Sequence, residues 1–270
     1  MIVSPKWDYC MKELFRNMVI LKNFISVVLG IPLETIQSVR LVNTHLWKRY
    51  RYQKQGILDV LVEMNDHTRI NIELQIRALS DWDKRQIFYL GKLLTEEVPA
   101  GGDYSVMKRC VAISILDFNL TEDAKYHKTY LLRDEDGRLF TKLVELHVIE
   151  LNKTLTGCSI DEWIRFFNAK TQEDLDMLRM QTKNAGILEA IKEVEQMSLV
   201  RWAKARHDER LKQIMDRKAE DKYVFNQGME QGENRIITLI TKMNAGGDAD
   251  RIAELSNPEV MREMEKKYGI

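Results

Sequence analysis

Two acidic side chains, Asp59 and Glu73, and an amide two positions beyond the second, Gln75, stand in a stretch where polar and apolar residues alternate. From Gly56 to Arg77 the chain reads as a hairpin: Leu58, Val60, Val62 and Met64 alternate in one arm, Ile70, Ile72, Leu74 and Ile76 in the other, and Asn65-Asp66-His67 joins them. Keeping both apolar sets on one face fixes the register, because a slip of one residue would turn every side chain over. With a three-residue loop, Met64 pairs with Thr68, Glu63 with Arg69, Leu61 with Asn71, Asp59 with Glu73 and Ile57 with Gln75. Asn65 and Asp66 are the loop residues expected to tolerate a left-handed conformation.

Asp59 then faces Glu73 with Cβ atoms roughly 5 Å apart. Carboxylates so close repel unless one is protonated or a cation lies between them, and a divalent metal ion is the natural third party. Gln75 points the same way; it can hold a water or a substrate oxygen but cannot act as a base. The same residues would equally decorate a solvated polar face with no chemistry, although Ile57 and Leu61 share that face and indicate partial cover.

The flanking elements must hold this hairpin. Met11, Leu14, Phe15, Met18, Val19, Ile25 and Val28 recur at helical spacing and predict one helix that stops at Gly30 and Pro32. Asp8 at its start suits an N-cap paired with Lys12. Thr35 to Trp47 predicts a first strand. The cluster Lys48, Arg49, Arg51 and Lys54, interleaved with Tyr50 and Tyr52, follows it, and serves either as a phosphate contact or as an ordinary solvated loop. Asp81 to Val98 predicts a helix packing through Trp82, Ile87, Leu90, Leu93 and Leu94, with Arg85, Tyr89 and Lys92 as one stripe. Arg109 to Leu116 is apolar enough for a buried strand. Tyr126 to Leu132 and Leu143 to Leu151 read as a further hairpin around a polar turn at Asp134, Glu135 and Asp136. His127 and His147 fall on it as packing or surface residues, without metal-ligand spacing.

Beyond Ile160 strand signals vanish. Trp163, Ile164, Phe166 and Phe167 suggest a short buried helix. Asn184 to Phe225 is a charge-laced helical arm, roughly 60 Å long if continuous, with a seam at Ile187, Ile191, Val194 and Met197. After a break at residues 227–232, three short helices close the chain. The 41 basic and 41 acidic residues among 270 balance, so a global positive field is excluded and any nucleic-acid contact must be local. Cys10, Cys110 and Cys158 are too scattered for a disulfide framework or a zinc site. Without a leader sequence or a run able to span a bilayer, a cytoplasmic protein that does not engage membranes is expected.

The succession Ser4-Pro5-Lys6, Asp8, Lys12 and Phe15, then Lys54, Leu58-Asp59-Val60, Ile72-Glu73-Leu74-Gln75, Arg85 and Tyr89 resembles the Rpn family of recombination-promoting nucleases, or PD-(D/E)XK nuclease family transposases. The resemblance implies an α/β restriction-endonuclease-like core, a mixed sheet flanked by helices, over residues 1–156. A helical arm over 157–230 and a three-helix module over 231–270 would follow. It implies metal-dependent cleavage of DNA phosphodiesters: Asp59 and Glu73 bind magnesium, or manganese in its place, with the Leu74 carbonyl as a further ligand and Asp8 as another acidic contributor. Gln75 stands where the wider superfamily has a lysine, as in the Rpn pattern itself; it would position water, and Lys54 would supply the amine. Lys54, Lys48, Arg49, Arg51, Arg85 and Tyr89 would contact DNA phosphates, and Arg85, facing the hairpin, could alternatively pair with an acidic ligand. A homodimer through the helical C-terminal region is expected, because paired sites cut paired strands. A catalytically silent interaction module on the same fold is the competing class.

Overall fold

Period-two runs of β-branched residues build a six-stranded sheet in the computed structural model, which describes residues 2–42, 45–46, 56–57, 59–78, 81–96, 98, 101–200, 232 and 234–270. Its strands are β1 (Val39–Val42), β4 (Val60–Met64), β5 (Arg69–Gln75), β6 (Cys110–Leu116), β8 (Val144–Glu150) and β7 (His127–Leu131), in that spatial order. β1, β4 and β5 are antiparallel neighbours, β5, β6 and β8 run parallel, and β7 returns antiparallel on β8. Parallel β5 and β6 need a crossover, which α3 (Trp82–Thr95) provides. β2 (His45–Leu46) and β3 (Gly56–Ile57) form a separate two-stranded ladder.

The expected hairpin register holds from Glu63↔Arg69 to Val60↔Ile72. Two details differ. His67 takes the left-handed position, φ 62°, because Asn65 and Asp66 form the preceding turn and the Asp66 carboxylate accepts from the Thr68 N–H. Ile57 leaves the ladder and pairs with His45 instead of Gln75.

One face of the sheet is covered by α1 (Asp8–Leu14), α2 (Met18–Leu29), α4 (Asp161–Asn168), α5 (Gln172–Gln181) and α6 (Ala185–Val200) around a large apolar core. The single helix expected up to Gly30 is split into α1 and α2, since Asn17 adopts an extended conformation and its side chain accepts from the Val19 N–H. Gly30 ends α2 at φ 64°, the left-handed cap expected of it. α5 was not foreseen; Thr171 and Asp174 start it with a reciprocal capping box. Trp163, Phe166 and Phe167 of α4, the short buried helix expected there, and Ile187, Ile191, Val194 and Met197 of α6, the seam of the expected arm, are buried in the same core as Phe24, Ile72 and Ile113. The remainder of the expected arm, 201–230, lies outside the described residues.

The chain divides into two units, Met1–Asp216 and Arg217–Ile270. In the second, a helix over residues 234–246 (α7), a 3-10 stretch, Ala249–Ser256, and α8 (Pro258–Tyr268) enclose Leu239, Met243 and Met264. Asn257 caps α8 and Pro258 opens it, as the sequence indicated.

Candidate active site

Among the described residues of the first unit the other face of the sheet carries α3, and β6 shows why. Its Val111, Ile113 and Ile115 turn to the large core, while the small Cys110 and Ala112 turn to α3 and let the helix lie close. β5 alternates in the same way: Ile70, Ile72 and Leu74 face the large core, so Asn71, Glu73 and Gln75 face α3.

Glu73 is 3% exposed. Its Oε1 accepts from Gln75 Nε2 at 2.5 Å and from Arg85 Nη2 at 2.9 Å, and its Oε2 accepts from Gln86 Nε2 at 2.7 Å. Asp59 lies one step past the last ladder pair, Val60↔Ile72, which brings it to the level of Glu73. Burial opposes the charge on Arg85, but Glu73, Tyr89 and Asp59 together hold the guanidinium above its ordinary value. Arg85 thus feels both carboxylates. Its guanidinium also lies 5.7 Å from the centroid of the Tyr89 ring, and Tyr89 is buried against Leu61, Leu90, Leu93 and Ala112.

α3 supplies these groups from two of its sides. Trp82, Gln86, Leu90 and Leu93 form its buried stripe, and Arg85 and Tyr89 border it. Ile87, expected inside, is 65% exposed. Gln86 escaped the sequence reading, although a polar residue in phase with Trp82, Leu90 and Leu93 is the signal that marks it. Lys92 stands away from Glu73, over the Phe88 ring at 5.4 Å.

Of the other expected site residues, Leu74 turns its side chain into the large core. Asp8 pairs with Lys12 at 3.0 Å. Among the described residues no group of three or more His, Cys, Asp and Glu side chains is gathered as a metal cluster, so Asp8 does not join Asp59 and Glu73 in one. Lys48, Arg49, Arg51 and Lys54, with Tyr50 and Tyr52, lie outside the described residues. One cation at this end of the sheet was not assigned a role: Lys6 pairs with Asp117 at 2.6 Å, and the Asp117 N–H donates to the Gln75 carbonyl at 2.9 Å.

Several polar atoms beneath α3 find no hydrogen-bond partner among the described residues: Asn71 Oδ1 and Nδ2, Ser114 Oγ, Gln86 Oε1 and Trp82 Nε1. A buried polar atom left so costs about 1–3 kcal/mol. On the far side of the sheet a second polar chain runs from Arg109 through Glu145 to His147, and from His147 Nδ1 to His127 Nε2 at 3.0 Å.

No curated protein and no solved structure matches the chain. A family's sequence model does, over residues 5–224, a span that takes in the sheet, α3 and the helices of the large core. With the mixed sheet in place, that match makes this chain a member of the PD-(D/E)XK nuclease family transposases.

Proposed function

We propose that the chain is a divalent-metal-dependent DNA endonuclease, and the observation that carries the reading is Arg85. A buried carboxylate, Glu73, is hydrogen-bonded to a guanidinium whose charge Asp59 also favours, which marks a place where positive charge is stabilised. The donor chemistry fits a hard cation, since Asp59, Glu73 and the Leu74 carbonyl offer oxygen alone. With two carboxylates and no third acidic group gathered among the described residues, magnesium or manganese would keep part of its water shell, as magnesium commonly does. Such an ion supplies an activated water and charge neutralisation at the phosphate.

The chain's own residues do the rest. Gln86 and Gln75 fix the Glu73 carboxylate in orientation, and burial keeps water from competing with them. Arg85, once exchanged for the cation, becomes a phosphate clamp with Tyr89 behind it. Gln75 orients water without taking its proton. Lys54 as the amine and Lys48, Arg49 and Arg51 as backbone contacts complete the proposal. A homodimer through the helical C-terminal region would present two sites to two strands. No described helix is long and apolar enough to cross a membrane.

Cleavage of supercoiled plasmid by the full chain, with magnesium, with manganese and with chelator, tests this. Metal-dependent nicking that is abolished in Asp59→Ala and Glu73→Gln is expected. Undiminished cleavage in both variants, or in chelator, overturns the site. A folded wild type that cuts with neither metal favours the silent interaction module, a reading to which the fully engaged Glu73 lends weight.

A further inference from the structure

Around Glu73 the α3 side of the sheet is polar where the other side is apolar. Ser114 is the register partner of Glu73 on β6, and by alternation with Ile113 and Ile115 it faces α3. Asn71 lies two residues before Glu73 on the same side of β5, next to Ala112. Gln86 reaches Glu73 from the helix above. Asn71 is 1% exposed, Gln86 and Ser114 0%. Yet Ser114 Oγ, Gln86 Oε1 and both amide atoms of Asn71 have no hydrogen-bond partner among the described residues.

Folded proteins leave few such atoms, and here four belong to residues on or beside one carboxylate. The chemistry of the occupant follows from what surrounds them. An anion is repelled by Glu73, and an apolar group would leave the four atoms as they are. Water, or something that carries water, satisfies them. A magnesium ion held by only two carboxylates brings several tightly bound waters whose hydrogens need acceptors. Ser114 Oγ, Gln86 Oε1 and Asn71 Oδ1 are acceptors.

We infer that Ser114, Asn71 and Gln86 form an outer hydrogen-bonding layer that receives the waters of a divalent cation held by Asp59 and Glu73. This rests on the proposed metal site and adds to it the groups that let two carboxylates suffice. These three are positioning residues; none touches the reacting phosphate.

The test is metal affinity in the absence of DNA, by calorimetry with magnesium and with manganese, and thermal melting of the metal-free full chain. Ser114→Ala, Asn71→Leu and their combination remove unpartnered atoms, so the metal-free protein should melt at the wild-type temperature or above it. Metal affinity should nonetheless fall about 10-fold to 100-fold, the usual cost of losing an outer partner. Affinity within twofold of wild type in the double variant overturns the inference. So does a metal-free melting temperature several degrees lower in Ser114→Ala, the gentlest change, because the polar atoms would then serve the fold itself. Asp59→Ala separates the two readings. If it abolishes metal binding while the Ser114 and Asn71 variants bind as wild type does, only the outer layer is wrong. If Asp59→Ala binds metal as wild type does, the proposed metal site fails.

Discussion

Glu73 concentrates the energetics of the site in one side chain. A carboxylate with 4% of its side chain exposed is tolerated because Arg85, Gln75 and Gln86 all donate to it. Removing one member of a buried ion pair leaves the other uncompensated, so Arg85→Ala should cost about 3 kcal/mol in the metal-free protein, read from chemical denaturation. The same variant should gain more melting temperature from magnesium or manganese than wild type, because the ion no longer competes with a guanidinium. A smaller gain would mean that Arg85 supports metal binding and does not stand in for it. At this scale the sequence was informative wherever alternation spoke. The pairs Leu61↔Asn71 and Glu63↔Arg69 followed from keeping two apolar faces together. It was silent on Gln86 and Ser114, because each is a single polar residue inside an apolar pattern. Two partners of Glu73, Arg85 and Gln86, come from α3, across a distance in sequence that periodicity does not bridge.

Among the elements, the joint between β7 and β8 is the one most sensitive to acid. Burial, the neighbouring His147 and Lys125 push the His127 imidazole down to about 4, and hydrogen bonds from His147 and Arg109 hold the Glu145 carboxylate at about 2. His127 is neutral in the fold but takes up a proton in the unfolded chain below about 6.5, so its contribution is present above that value and fades as the pH falls toward 4. Glu145 adds stability that is present above its ordinary value of 4.5 and is lost on approaching 2. Denaturation midpoints should therefore begin to fall below about pH 6.5, and His127→Phe should flatten the slope between pH 6.5 and 4 while leaving the steeper loss below it. An unchanged slope would assign that loss to other groups. The helices teach a different lesson about legibility. The seam of α6 at Ile187, Ile191 and Val194 is too narrow to build a core of its own and suits docking on the sheet domain or on a second helix; it docks on the domain, where α2, α4 and α5 close around it. Each of these positions is 0% exposed, so Ile191→Ala should cost about 2–5 kcal/mol, and a chain ending at Gly157 should fail to fold. A cooperative melt from that truncated chain would show that the sheet holds its shape without α4, α5 and α6.

For the molecule as a whole, the open matter is how two strands of DNA would be met by one site per chain. The second unit, Arg217–Ile270, encloses only a small apolar cluster and turns two adjacent side chains of α7 outward, Ile236 at 40% and Ile237 at 61% exposure. Among the described residues of that unit, Arg251 with Glu263, Lys267 with Asp248 and Arg235 with Glu265 stitch its own segments together. They leave the Ile236 and Ile237 surface as its apolar feature. At 54 residues, 217 to 270, the unit is small and its stability correspondingly marginal, and burial of exposed isoleucines against a second copy would add to it. In the proposed dimer this surface is the contact. Sedimentation of the full chain at tens of micromolar should then show a dimer, and Ile236→Asp combined with Ile237→Asp should return it to a monomer. The melting transition of the first unit should not move, since both changes lie outside its core. On plasmid, the monomeric variant should still nick but lose the ability to linearise in one encounter. A wild type that sediments as a monomer removes the dimer, and a variant that stays dimeric moves the contact away from α7.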